Sequence, residues 1–153
     1  MNKNKILSLF YIFFPLIMGT IIGLVTSNSI EYNNLIKPPV SPPSILFPIV
    51  WSILYLLMGI SYFIYKKNID NKGKLIPIIY YFQLFINLLW SIIFFVFELK
   101  FLAIIWIILL DLLVIFMIYL FSNENKISAY LNIPYLVWIL FATYLTIGIY
   151  VLN

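Results

Sequence analysis

The chain has 153 residues, of which 65% are hydrophobic, 20% aromatic and 9% charged, with a formal net charge of +4 and a mean hydropathy of +1.10. A soluble domain carries about 45–50% apolar and about 25% charged residues, and disorder needs low hydrophobicity with high charge; both classes are excluded. Cys, His and Arg are absent, which removes disulfides, thiolate chemistry, His- or Cys-ligated haem and any Ser-His-Asp triad, while the small Lys-only positive charge argues against nucleic-acid binding.

The apolar fraction amounts to ~99 positions, and a bilayer-spanning helix needs about 20, so the arithmetic points to five spans. They are predicted at 6–26, 45–65, 75–97, 101–121 and 129–152. The first follows Lys3 and Lys5, exceeds the length of a secretory apolar core and lacks a small-x-small cleavage site, so it is read as a retained helix. Within it Gly19 and Gly23 form a GxxxG pair, which lets another helix approach closely. The connection 27–44 is the longest and carries Pro38, Pro39, Pro42 and Pro43, a composition that favours polyproline II geometry. It reads equally as a lid over a binding site or as a connector.

The second span begins with Ser44 as a candidate N-cap and Pro48 in the first turn. It carries an aromatic stripe of Trp51, Tyr55, Met58 and Tyr62 at helical spacing. The third starts near Pro77 and places Gln83, Asn87 and Trp90 on one face, with Ser91 beside them. Such polar groups serve either interhelical hydrogen bonds or a cavity. The fourth holds Asp111 at its middle, where a carboxylate costs about 2.5–3.5 kcal/mol on insertion scales and must face protein, pair or be protonated. The fifth starts near Pro134 and aligns Tyr135, Trp138 and Ala142. No ten-residue segment alternates in polarity, which argues against a β-barrel. The 14 Phe, 12 Tyr and 4 Trp fit either packing with interfacial belts or a pocket for a flat ligand.

Five spans put the termini on opposite sides. Lys3, Lys5, Lys66, Lys67, Lys72, Lys74 and Lys126 share one side, against Lys37 and Lys100 on the other. The positive-inside rule then expects a cytoplasmic N-terminus, with the C-terminus and the 27–44 loop external, in the cell membrane.

Three groups of residues carry a resemblance. Leu35-x-Lys37-Pro38, Pro42-Pro43 and Phe47-x-x-Val50-Trp51-x-x-Leu54-Tyr55-x-x-Met58-Gly59 come first. Gln83-Leu84-x-x-Asn87-x-x-Trp90-Ser91-x-x-Phe94-Phe95 follows, and then Pro134-Tyr135-x-x-Trp138-x-x-Phe141-Ala142-Thr143-Tyr144-Leu145. In order, and covering roughly residues 10–150, they resemble the TspO/MBR family of tryptophan-rich sensory and translocator proteins, relatives of the peripheral benzodiazepine receptor. The resemblance implies an all-α bundle of five transmembrane helices in the lipid bilayer, forming one domain over 1–153. It implies a homodimer, and in each bundle a ligand pocket capped by the first loop. It also implies binding of porphyrins of the protoporphyrin IX class, with no intrinsic cofactor or metal. Some bacterial members degrade that porphyrin in a light- and oxygen-dependent way, so whether this chain is an enzyme stays open. A porphyrin transporter and a non-catalytic ligand sensor are the alternatives. The positions matching the oxidisable indoles are Trp51 and Trp138. The ligand-binding positions carried over are Tyr32, Pro42, Phe47, Trp51, Tyr55, Asn87, Trp90, Tyr135, Trp138 and Ala142.

Three departures from the family pattern stand out. Glu31 occupies a position where members often carry Trp, just before Tyr32. The fourth span has Trp106 three residues after Ala103, where many members have Asp, and its acid lies five residues on at Asp111. Five residues rotate the helix by about 140° net, so Asp111 does not inherit the family's position. Only Val151, Leu152 and Asn153 follow Tyr150, so the Tyr-to-Lys/Arg cholesterol motif is absent and sterol binding through it is not expected. The Lys asymmetry makes a direct prediction: a reporter fused after Asn153 reads as external, and cytoplasmic activity there would overturn the orientation.

Overall fold

The computed structural model describes residues 3–27, 32–68 and 73–153; Glu31 and Lys72 lie outside the described residues. Its helices are α1 Lys3–Ser27, α2 Leu46–Asn68, α3 Leu75–Ser91, α4 Lys100–Glu124, α5 Lys126–Tyr130 and α6 Ile133–Leu152. A 3₁₀ turn, Tyr32–Asn34, precedes α2, and a π turn, Ile92–Val96, extends α3. Among the described residues, five segments are long and apolar enough to cross a membrane: Lys5–Ser27, Leu46–Lys67, Leu75–Val96, Lys100–Glu124 and Lys126–Leu152. Lipid offers no hydrogen bonds, so a helix that satisfies its own backbone is the stable form of each run.

The fifth span is divided, where the sequence suggested one helix from 129 to 152. Pro134 cannot donate a backbone hydrogen bond and its ring crowds the carbonyl four residues earlier, so the chain turns at Leu131–Asn132 before α6 begins. Asn125 caps α5 by accepting the Ser128 N–H at 3.0 Å. At the break, Ser61 Oγ donates to the Ser128 carbonyl at 2.7 Å and Ser128 Oγ donates back to the Ser61 carbonyl at 2.9 Å. Asn132 Nδ2 adds bonds to Ser61 Oγ and the Ser128 carbonyl. The interruption is therefore fastened to α2.

The helices close a ring in the order α1, α2, α5/α6, α4, α3 and back to α1. Gln83, Asn87 and Trp90 all face inward from α3. The buried stripe of α4 is Ala103, Ile107, Leu110, Asp111, Val114, Met117 and Phe121. Trp106 turns instead toward α3, where its indole N–H donates to the Ile86 carbonyl at 3.1 Å. On α6 the buried line runs through Tyr135, Ile139, Ala142, Thr146 and Ile149, which leaves Trp138 one step aside and half-buried. Asp111 faces α6: Thr143 Oγ1 donates to its Oδ2 at 2.8 Å, while its Oδ1 has no protein partner.

The closest backbone approach is at Gly59 rather than at the GxxxG pair. A Cβ on Gly59 would overlap the Ile12 carbonyl of α1, whereas one on Gly19 would meet the Tyr55 ring and one on Gly23 would meet nothing. So α1 touches α2 tightly near Ile12, with Pro15 buried beside that contact, and rides over the Tyr55 ring near Gly19.

Residues 35–45 are irregular rather than continuous polyproline II: Val40 takes the left-handed region at φ 65, a costly choice for a β-branched residue. Ser41 Oγ bonds the Pro38 carbonyl at 2.6 Å across that turn. Ser44 serves α2 through its backbone carbonyl, which accepts from Phe47 N–H at 3.3 Å. The segment is tied to α6. Tyr144 Oη donates to the Pro39 carbonyl at 2.8 Å. The Asn153 side chain accepts from Ile36 N–H at 3.0 Å and donates to the Ile36 carbonyl at 2.9 Å. Pro38 lies where a side chain on Gly148 would need to be.

Two outcomes follow from this packing. Gly59→Leu forces α1 off α2 and lowers the thermal midpoint in detergent, by more than Gly59→Ala does, as overpacking of about 1–3 kcal/mol requires; an unchanged midpoint would disprove the close approach. Asp111→Leu holds or raises the midpoint, because Thr143 Oγ1 keeps its bond to the Ile139 carbonyl at 3.0 Å and a buried oxygen without a partner is removed. A large loss on that substitution would mean that the acid has a further partner.

Candidate ligand cleft

Between α1, α2 and α3, at the end covered by residues 32–44, lies a cavity of about 530 Å³. Its α1 wall is small or hydroxylated: Gly19, Thr20, Gly23 and Ser27, with Leu16 and Leu24. Its α2 wall is Phe47, Pro48, Trp51, Ser52 and Tyr55, and α3 with the π turn adds Trp90, Ser91 and Phe95. Tyr32 and Ser44 close it from the loop. A volume near 530 Å³ falls within the ~300–1,000 Å³ typical of small-molecule sites.

The base of the cleft is rigid. Trp51 stacks on Tyr55 with ring centroids 5.4 Å apart and planes at 27°, and meets Tyr135 edge-on at 6.2 Å. Tyr55 Oη donates to Asn87 Oδ1 at 2.5 Å. Asn87 Nδ2 donates to Tyr135 Oη at 3.0 Å, and Tyr135 Oη donates to Gln83 Oε1 at 2.9 Å. Gln83 Nε2 reaches the Met58 sulfur at 3.3 Å. This chain joins α2, α3 and α6, and each interhelical bond in it is worth about 0.6–1.7 kcal/mol in a membrane.

At the loop end, Tyr32 is 3% exposed and its hydroxyl donates to the Pro42 carbonyl at 3.1 Å. Burial pushes the Tyr32 phenol above its ordinary pKa, with a Ser41 hydrogen bond pulling the other way, so it is neutral at physiological pH. The Lys37 ammonium lies 4.6 Å from the centre of the Tyr32 ring, a cation–π arrangement.

The ten sequence-derived positions divide. Tyr32, Phe47, Trp51, Tyr55 and Trp90 line the cleft. Asn87 and Tyr135 stand behind it in the hydrogen-bond chain, and Pro42 holds Tyr32 through its carbonyl. Ala142 belongs to a separate void of about 20 Å³, bounded also by Leu145, Thr146 and Ile149 of α6. Phe47 is the partition: its ring packs edge-on against Tyr32 at 5.1 Å and against Trp138 at 6.0 Å. Trp51 is among the residues that line the cleft, and Trp138 is not, meeting the edge of Phe47 instead. The α1 wall escaped the sequence reading, which took Gly19 and Gly23 as helix-packing residues. The hydroxyls of Thr20 and Ser27 mark that wall in the sequence, though each bonds its own helix, to the Leu16 and Leu24 carbonyls.

Comparison with known proteins agrees with this architecture. The TspO/MBR family profile matches residues 11–152. A tryptophan-rich protein TspO of Archaeoglobus fulgidus is 38% identical over 130 residues, covering 84% of both chains. A tryptophan-rich sensory protein of Cereibacter sphaeroides is 30% identical over 112 residues, 73% of this chain and 70% of the other. A translocator protein homolog of Schizosaccharomyces pombe is 31% identical over 143 residues, 91% of this chain and 87% of the other. With five membrane-length apolar helices and a family match over nearly its whole length, the chain belongs to the TspO/MBR family and is a multi-pass membrane protein.

Proposed function

We propose that this protein binds a flat tetrapyrrole of the protoporphyrin IX class in the α1–α2–α3 cleft and acts in the membrane as a ligand sensor, with photo-oxidative loss of the bound porphyrin as its chemistry. The observation that carries the reading is the cleft itself: about 530 Å³ walled by Phe47, Trp51, Tyr55, Trp90 and Phe95. Aromatic walls favour a planar π-system, and the lack of His and Cys in the sequence favours a metal-free macrocycle over an iron-ligated one. Relatives described as a tryptophan-rich sensory protein and a translocator protein homolog support a sensory or translocating role.

In this reading molecular oxygen is the oxidant, and the illuminated macrocycle both sensitises it and is itself oxidised. What this chain contributes is confinement and an oxidisable indole beside the excited macrocycle. Trp51 lines the cleft and its ring is held by the stack on Tyr55, so its indole is the oxidisable group presented to the ligand. Trp138 is not among the residues that line the cleft and meets Phe47 edge-on, so it ranks behind Trp51 in this reading. This ranks two indoles that the sequence treated as equivalent. The homodimer belongs to the same reading as a proposal, resting on family membership.

The test is a titration of purified protein with protoporphyrin IX in darkness, followed by illumination. Tight binding with light-dependent bleaching supports the reading. Uptake into vesicles in darkness without bleaching would favour a transporter, and binding alone would favour a non-catalytic sensor. Trp51→Phe keeps a π-face and lowers affinity by less than about tenfold, since one aromatic pair is worth about 0.5–1.5 kcal/mol, yet it slows bleaching far more. Trp138→Phe changes both less than Trp51→Phe does. Wild-type bleaching by porphyrin-loaded Trp51→Phe would show that the indole is only a wall.

A further inference from the structure

The loop end of the cleft carries an electrostatic asymmetry that aromatic walls alone do not explain. The indole N–H groups of Trp90 and Trp138 are buried without a protein acceptor. Trp90 is only 5% exposed, and it borders both the main cleft and the small void beside Ala142. An indole N–H can only donate, and leaving a buried donor unpaired is costly. Neighbouring rings offer little compensation: Phe94 is stacked on Trp90 and Phe95 stands at right angles 6.1 Å away, a weak π-acceptor at best. Trp106, by contrast, is satisfied by the Ile86 carbonyl, so an unpaired indole is not the general condition of this chain.

A positive charge stands at the same end. Lys37 lies over the ring of Tyr32, and Tyr32 borders the same two cavities as Trp90. No acidic residue is among those lining either cavity. A donor without an acceptor, next to an ammonium held on an aromatic ring, is suited to an anion. We propose that the cleft selects an amphiphilic carboxylic acid: a flat apolar body lies along Trp51, and its carboxylate points to the loop end. There the carboxylate accepts the Trp90 N–H, and the Lys37 ammonium offsets its charge. Phe47 and Phe95 cover the approach to Trp90 and yield as the carboxylate arrives. This goes beyond the function proposed above by naming the group recognised and the residues that recognise it. It rests on that reading only for the location of the ligand.

The experiment compares acid and neutral partners of two unrelated flat probes: protoporphyrin IX against its dimethyl ester, and 1-pyrenebutyrate against its methyl ester. Each is titrated in darkness into the full-length protein and into Trp90→Phe and Lys37→Gln. A hydrogen bond to a charged group predicts that wild type prefers each acid by roughly tenfold or more. Trp90→Phe abolishes most of that preference, read as the acid-to-ester affinity ratio within the variant, because the ring still packs but no longer donates. Lys37→Gln reduces the preference and makes the remainder less dependent on salt. The proposal is overturned if wild type binds acid and ester equally, or if Trp90→Phe weakens acid and ester by the same factor. The ratio within each variant cancels any general damage to folding. If the pyrene pair shows the preference and neither porphyrin binds, the tetrapyrrole reading fails while the carboxylate site stands; if porphyrins bind with no preference, the reverse holds.

Discussion

In lipid every polar group that enters the bundle must find its partner in protein, because an unmet hydrogen bond there costs several kcal/mol. In this chain the central polar groups meet that requirement in a run of bonds from Tyr55 through Asn87 and Tyr135 to Gln83 and the Met58 sulfur, while Ser61, Ser128 and Asn132 form a second set at the break before α6. Both the ring of helices and the position of the cleft depend on the first run. Asn87 uses its amide oxygen toward α2 and its amide nitrogen toward α6, so three helices are fixed in rotation by one side chain. Below this level the interior is filled by Met58, Tyr62, Tyr80, Val114, Met117 and Phe121. Above it the interior opens. The cleft begins where the network ends, and Tyr55 belongs to both: its hydroxyl is the first donor of the chain and its ring carries Trp51.

The opening itself is a property of α1. Only Pro15 and Thr26 of its residues from Lys5 onward are buried, so it is the least enclosed of the spans, although it packs along α2. Gly59 admits its backbone at Ile12, and Gly19 lies against the Tyr55 ring, whereas nothing fills the space beside Gly23. The cleft includes that space, and Gly23 keeps it free, since a side chain there would meet no protein atom. The loop 32–44 does not wedge this gap apart. Its bonds run to α6 through Tyr144 and Asn153, on the opposite side of the ring from α1. The cover is thus anchored to the firm part of the bundle, and the looser wall is the helix.

Most of the architecture was legible in the sequence, because in a membrane the hydrophobic run and the helix are nearly the same object. Gln83, Asn87 and Trp90 were visible as one face, and the structure brings the first two into a single network and the third to the cleft. What was not legible were matters of three-dimensional distance. Nothing in a glycine's identity tells whether it admits a helix, as Gly59 does, or leaves a cavity, as Gly23 does. The break at Leu131–Asn132 was signalled by Pro134 but needed the Ser61–Ser128–Asn132 bonds to show that it is built in rather than merely tolerated. The unequal places of Trp51 and Trp138 were hidden for a similar reason: helical spacing places each on its own helix, but only the packing puts Trp51 on the cleft wall and Trp138 against the edge of Phe47.

That ring gives the site its internal order. Phe47 borders both the main volume, with the Trp51–Tyr55 stack and the hydroxyl-bearing α1 wall, and a void about the size of one water beside Ala142, and it touches Trp138 edge-on. Tyr32 and Trp90 border both compartments. A ligand in the large compartment faces two indoles, Trp51 and Trp90. Phe47 bounds that compartment, packed edge-on against Tyr32 and Trp138 and against the cluster around Trp90. Such aromatic pairs are worth about 0.5–1.5 kcal/mol each beyond the area they bury, small beside the binding energy of a large planar ligand. Through Trp138 the cleft wall at Phe47 meets α6, and α6 holds the covering loop by the Tyr144 and Asn153 bonds.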